Sequence, residues 1–139
     1  MMHPLKISIV QTDIAWENKQ ENLRMLREKL HALRGTTEIV VLPEMFSTGF
    51  TMKSRELAEP VSGITVRILK ELAADFQLAL CGSFICSERS NYYNRAFFIT
   101  PEGEEFYYDK RHLFRMGNEA EYFSSGNNKL IISYRGWNI

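Results

Sequence analysis

The sequence has 139 residues, 45% of them hydrophobic, with 17 Lys plus Arg against 17 Asp plus Glu and hence a formal net charge of zero. That length suits one domain able to bury roughly two-thirds of its unfolded surface, and the charge balance speaks against a dedicated nucleic-acid surface, which needs clustered positive charge. No apolar run approaches the roughly 20 residues that cross a bilayer, and the opening MMHPLKISIVQ lacks the apolar core of a signal peptide, so the expectation is a cytoplasmic protein with neither membrane nor nucleic acid as partner.

In chain order, residues 5–11 (LKISIVQ) alternate, with Leu5, Ile7 and Ile9 on one face, and read as a first strand. Leu23, Leu26, Leu30 and Leu33 recur at helical spacing, and Gly35 is placed to stop that helix. Residues 38–42 (EIVVL) are an uninterrupted apolar run, the pattern of a strand covered on both faces. A second helical period follows Ser62, with Val66, Leu69, Leu72, Ala73 and Phe76 on one face. Residues 78–85 (LALCGSFI) make a third apolar strand. Residues 92–100 and 104–109 flank Pro101-Glu102-Gly103, a strong turn signal, and so predict a hairpin. Residues 129–134 (KLIISY) read as one more strand. Alternating strands and helices followed by a hairpin indicate an α/β layered domain.

Two places in this order carry chemistry. Glu44 follows Pro43 at the carboxyl end of the second strand, where open α/β sheets collect ligands and reactive groups. Lys110 ends the hairpin strand and can also point off the sheet edge, and Glu119 lies in the loop beyond it. Each has a plainer reading. An acid after a strand is more often a solvated turn residue, and Lys110 beside Asp109, Arg111 and His112 is more often part of a solvated charge run. His112 next to Leu113 and Phe114 is more often packed than catalytic. Cys81 and Cys86 fit small hydrophobes in a strand, and no spacing suggests a zinc site.

The combination favours the reactive reading. LPEMFSTGF, then NRAFFITPEGE, YYDKRHLF and EYFSSGN in that order resemble the nitrilase superfamily, the carbon–nitrogen hydrolases, and most closely its ω-amidase-like branch. The resemblance implies an α-β-β-α sandwich, two sheets face to face with helices outside. Residues 1–139 would be its N-terminal portion, with an inner sheet face left exposed. It also implies a Glu–Lys–Cys triad, whose glutamate falls on Glu44 and lysine on Lys110. Glu119 matches a further active-site glutamate, and Phe46 a residue that lines the substrate pocket. The substrate implied is a small amide, an ω-amide of a 2-oxo dicarboxylic acid, hydrolysed to acid and ammonia through a cysteine thioester. No metal or organic cofactor is needed, and the full-length protein is expected to dimerise.

The nucleophile of that family sits in a CYDLRFP-like stretch, which these residues do not contain. Cys81 and Cys86 also precede Lys110, against the family order of Glu, Lys, Cys. The 139 residues alone are therefore expected to be inactive. The competing reading is a non-catalytic truncated module or partner-binding half. An unrelated α/β ligand-binding domain ranks last, because it has no Gly-rich phosphate loop and leaves the Glu44 and Lys110 motifs unexplained.

Overall fold

A computed structural model describes residues 3–139. The chain runs β1 (Ile7–Ile9), α1 (Lys19–Leu33), β2 (Ile39–Val41), α2 (Ser54–Leu57), α3 (Ile64–Phe76), β3 (Ala79–Glu88), β4 (Asn91–Ile99) and β5 (Glu105–Asp109). A 3-10 turn at Arg115–Gly117, α4 (Glu119–Tyr122), β6 (Ser133–Tyr134) and β7 (Trp137–Asn138) follow. The five long-range strands form one sheet in the order β1-β2-β3-β4-β5. β1, β2 and β3 are mutually parallel, while β4 and β5 fold back antiparallel.

Local chemistry explains the helix bounds. The Asn18 side chain accepts from the Glu21 amide at 3.1 Å and caps α1, which ends ahead of Gly35 in the left-handed region at φ +73°. α3 begins where the Glu59 carboxylate accepts from the Thr65 amide at 3.1 Å. Both helices lay their apolar stripes on one sheet face. Leu23, Leu26, Leu30, Val66, Leu69 and Leu72 meet Val40, Leu80, Phe84, Phe97 and Ile99 there to form the main core.

The opposite face is only half covered. Ile39, Ala79 and Phe98 pack under Ile132 and Tyr134 from the C-terminal hairpin. Ile7 and Ile9 of β1 stay 56% and 81% exposed.

Two local readings change and one short helix goes unread in the sequence. β3 continues to Glu88, because Arg89 and Ser90 (φ +48° and +66°) make a two-residue turn that pairs every residue from Leu80 to Glu88 with β4. The short α2 has no amphipathic repeat long enough to be legible. The strand expected at residues 129–134 shrinks to Ser133–Tyr134 and does not join the main sheet. It turns at Arg135-Gly136, both at positive φ, and pairs with Trp137–Asn138. Ile132 and Ile139 exchange backbone hydrogen bonds at 2.8 Å each way, so the ladder groups of this segment are satisfied locally.

Candidate active site

Glu44 stands at the carboxyl end of β2 because the chain is pinned on either side of it. The Leu42 amide donates to the Cys81 carbonyl at 2.7 Å, which prolongs the parallel ladder up to Pro43. Beyond Glu44 the Met45 amide donates to Ser83 Oγ at 2.8 Å, and the Phe46 amide to the Ser83 carbonyl at 3.2 Å. Met45, fully buried, takes φ +49°, a strained backbone for a non-glycine residue that this surrounding structure enforces.

Lys110 arrives from the other side. Its amide donates to the Asn94 carbonyl at 2.9 Å, one step past the β4–β5 ladder, and its carbonyl accepts from the Gly126 amide at 3.0 Å. Arg95, itself buried, grips Asp109 with a forked pair at 2.7 and 2.9 Å and so fixes the strand end that presents Lys110. Gly126 is required where it crosses this end, since a Cβ there would stand 2.2 Å from the Asp109 carbonyl oxygen.

The side chains meet as the strand ends predict. Lys110 Nζ lies 2.9 Å from Glu44 Oε1 and 3.0 Å from Glu119 Oε2. Glu119 is completely buried; its Oε2 also accepts from the Phe114 amide at 2.6 Å, while its Oε1 has no partner among the described residues. Glu44 is about half exposed, so one side of the cluster is open. Burial works against the Lys110 ammonium, but the hydrogen bonds to Glu44 and Glu119 outweigh it and hold its pKa above the ordinary lysine value. An ammonium has three donors; Glu44 and Glu119 take two.

Two neighbours were not among the residues singled out from sequence. Asn94 Nδ2 donates to Glu44 Oε1 at 2.6 Å. The Phe50 ring centroid lies 5.1 Å from Lys110 Nζ, within cation–π range. Asn94 was findable: counting back from the Pro101-Gly103 turn puts position 94 opposite 110 on the same sheet face. Phe50 left no such trace, because it reaches Lys110 through an irregular turn.

Other singled-out residues lie elsewhere. Phe46 is 4% exposed, edge-on to Phe97 at 5.8 Å in the core between sheet and helices. His112, expected to pack, is exposed. Cys81 sits beside Val41 and Phe98 on the half-covered face, and Cys86 is buried on the helix side. Burial pushes the Cys81 thiol up and the Cys86 thiol up to about 11, so both are protonated at neutral pH. Among the described residues no cluster of three or more His, Cys, Asp or Glu is arranged to hold a metal, and no helix is long and apolar enough to cross a membrane.

Comparison with known proteins gives a consistent picture. Residues 6–138 match the carbon–nitrogen hydrolase family model. The sequence is 33% identical over 138 residues to Omega-amidase YafV of Escherichia coli (strain K12), an alignment covering 99% of this chain and 53% of that protein. It is 28% identical to an (R)-stereoselective amidase of Pseudomonas sp, over 95% of this chain and 48% of the amidase. The crystal structure of XC1258 from Xanthomonas campestris, a CN-hydrolase superfamily protein with an arsenic adduct in its active site, superposes with a TM-score of 0.95 at 36% identity, over 99% of this chain and 52% of that one. The chain thus spans about half the length of the relatives it matches.

Proposed function

Since this chain belongs to the carbon–nitrogen hydrolase family, we propose that it forms the N-terminal half of an amidase domain and contributes the acid–base and electrostatic parts of a Glu–Lys–Cys active site. The observation that carries this reading is the Lys110 ammonium held between Glu44 at 2.9 Å and Glu119 at 3.0 Å at the carboxyl edge of a sheet. The nucleophilic cysteine comes from a further segment. In support, Cys81 and Cys86 are protonated thiols placed apart from the cluster, and the relatives are about twice as long.

In the complete enzyme Glu44 takes the proton of that thiol, and the thiolate attacks the amide carbonyl carbon to give a covalent intermediate. The third donor of Lys110 faces the oxygen on which negative charge develops, where a fixed cation acts most strongly out of bulk water. Glu44 then hands its proton to departing ammonia and takes another from the water that cleaves the thioester. Glu119 fixes Lys110 from behind through its Oε2. No step calls for a metal or organic cofactor. Small ω-amides of 2-oxo dicarboxylic acids are the proposed substrates, on the likeness to Omega-amidase YafV. Two free thiols suit a reducing, cytoplasmic setting.

The test is ammonia release from α-ketoglutaramate. The 139-residue chain alone should give none. Joined to the nucleophile-bearing segment it should turn over, and Glu44→Gln and Lys110→Ala should each abolish the reaction while Cys81→Ala leaves the rate nearly unchanged. Turnover that survives Glu44→Gln but not Cys81→Ala would place the chemistry elsewhere.

A further inference from the structure

The Glu44 carboxylate is held asymmetrically. Both of its hydrogen bonds fall on one oxygen: Oε1 accepts from Asn94 Nδ2 at 2.6 Å and from Lys110 Nζ at 2.9 Å. Oε2 has no partner among the described residues. A carboxylate tethered by a single donor can rotate about its terminal torsion, which is broad for glutamate. Two donors from different directions on one oxygen remove that freedom and dedicate the oxygen to anchoring.

Asn94 is well placed for this task. It is 2% exposed and sits within β4, so its own rotamer is fixed by packing. It is the cross-strand neighbour of Lys110, whose amide donates to the Asn94 carbonyl at 2.9 Å. One ladder step therefore sets the separation of the two donors that converge on Oε1. An ionised carboxylate only accepts, which settles that the amide nitrogen and not the amide oxygen faces Glu44. An amide is also neutral at all working pH values, so it orients Glu44 without competing for its proton.

We propose that Asn94 is a positioning residue for the reaction: with Lys110 it locks Glu44 Oε1, so that Oε2 is the oxygen that takes the proton from the nucleophilic thiol and returns it to the leaving ammonia. The proton balance is simple. Oε2 gains the thiol proton as the S–C bond forms and loses it to nitrogen as the C–N bond breaks; it then takes a proton from water as the O–C bond forms and returns it to sulfur as the C–S bond breaks. This proposal rests on the reading of Glu44 as the proton carrier.

The experiment measures kcat and KM for ammonia release in the complete enzyme for Asn94→Ala and Asn94→Asp, with Glu44→Gln alongside and thermal unfolding of each variant. Asn94→Ala should lower kcat about tenfold to a hundredfold with KM changed less than about twofold, because orientation is lost at the reacting atoms and not in substrate binding. Asn94→Asp keeps the shape but sets a second carboxylate against Oε1, and should lower kcat at least as far. The two variants stress the fold differently, one by a cavity and one by like charge, so either one that folds decides the matter. A folded variant with near-wild-type kcat, or a loss confined to KM, overturns the role of Asn94 while a dead Glu44→Gln leaves the active-site reading intact. An active Glu44→Gln overturns both.

Discussion

Removing the charge of Lys110 should cost stability as well as activity, and the structure sets the amount. Lys110→Met keeps most of the side-chain length beside Phe50 but leaves Glu119, with a fully buried side chain, without its cation. Only the Phe114 amide at 2.6 Å then compensates the charge, since Glu119 Oε1 has no partner among the described residues. Breaking a buried pair by deleting one partner costs about 3–5 kcal/mol. Lys110 is 28% exposed and so already partly solvated, which points to the lower end, about 3 kcal/mol and roughly a 10 °C fall in Tm. The assay is urea unfolding of the 139-residue chain followed by circular dichroism. Glu119→Gln added to Lys110→Met removes the stranded charge and should recover about 1–2 kcal/mol. The pH dependence has a definite sign. Because the Lys110 pKa is raised on folding, the stability it contributes is fully present below the ordinary lysine value of roughly 10.4 and is lost as pH rises through the higher folded value. The gap between wild type and Lys110→Met should therefore close in strong alkali. A gap under about 0.5 kcal/mol at pH 7, or a double variant no more stable than the single, would refute the argument, since unpaired buried charge could not then be the dominant cost.

Glu59→Gln should cost about 1–2 kcal/mol, because Glu59 joins the start of α1 to the start of α3 through Lys19 at 2.8 Å and the Thr65 hydroxyl at 2.5 Å. Although burial opposes it, these bonds hold the Glu59 pKa below the ordinary glutamate value, so its contribution is present above about pH 4.3 and is lost as pH falls through the lower folded value; urea midpoints at neutral and strongly acidic pH check this, and an advantage undiminished in acid contradicts it. Gly126→Ala would set a Cβ 2.2 Å from the Asp109 carbonyl oxygen, an overpacking that should cost about 1–3 kcal/mol. An unchanged Tm for that variant would mean that the crossing loop yields freely and does not hold the Lys110 strand end.

The sequence carried its information most clearly where one residue's neighbours were close along the chain. Leu23, Leu26 and Leu30 face the core as their spacing requires, and Pro101-Glu102-Gly103 closes the hairpin whose end presents Lys110. Glu44 and Lys110 were each recognisable as a charged group one step beyond a strand, and their motifs in order identified the family. Residues 129–134 misled, because an apolar run signals burial but not its partner; Arg135-Gly136 turned that segment back on itself. Phe46 illustrates the same limit. Sequence gives no direction for its side chain; the left-handed turn at Met45 sets it, edge-on to Phe97.

Composition, periodicity and turn residues thus determined by themselves the α/β class and the placing of Glu44 and Lys110 just past the ends of two strands, since these follow from local steric and hydrophobic preferences. The tertiary structure alone decided that Asn94 joins Glu44, Lys110 and Glu119 in one cluster, and which oxygen each donor reaches. Asn94 and Lys110, 50 and 66 positions beyond Glu44, are brought within 2.9 Å of it by the register of β2, β3, β4 and β5, and register depends on which strands pair and where. That choice also buried Glu119 behind Lys110 and gathered two donors on a single oxygen of Glu44, arrangements that no spacing along the chain encodes, because they arise from side chains converging across strands.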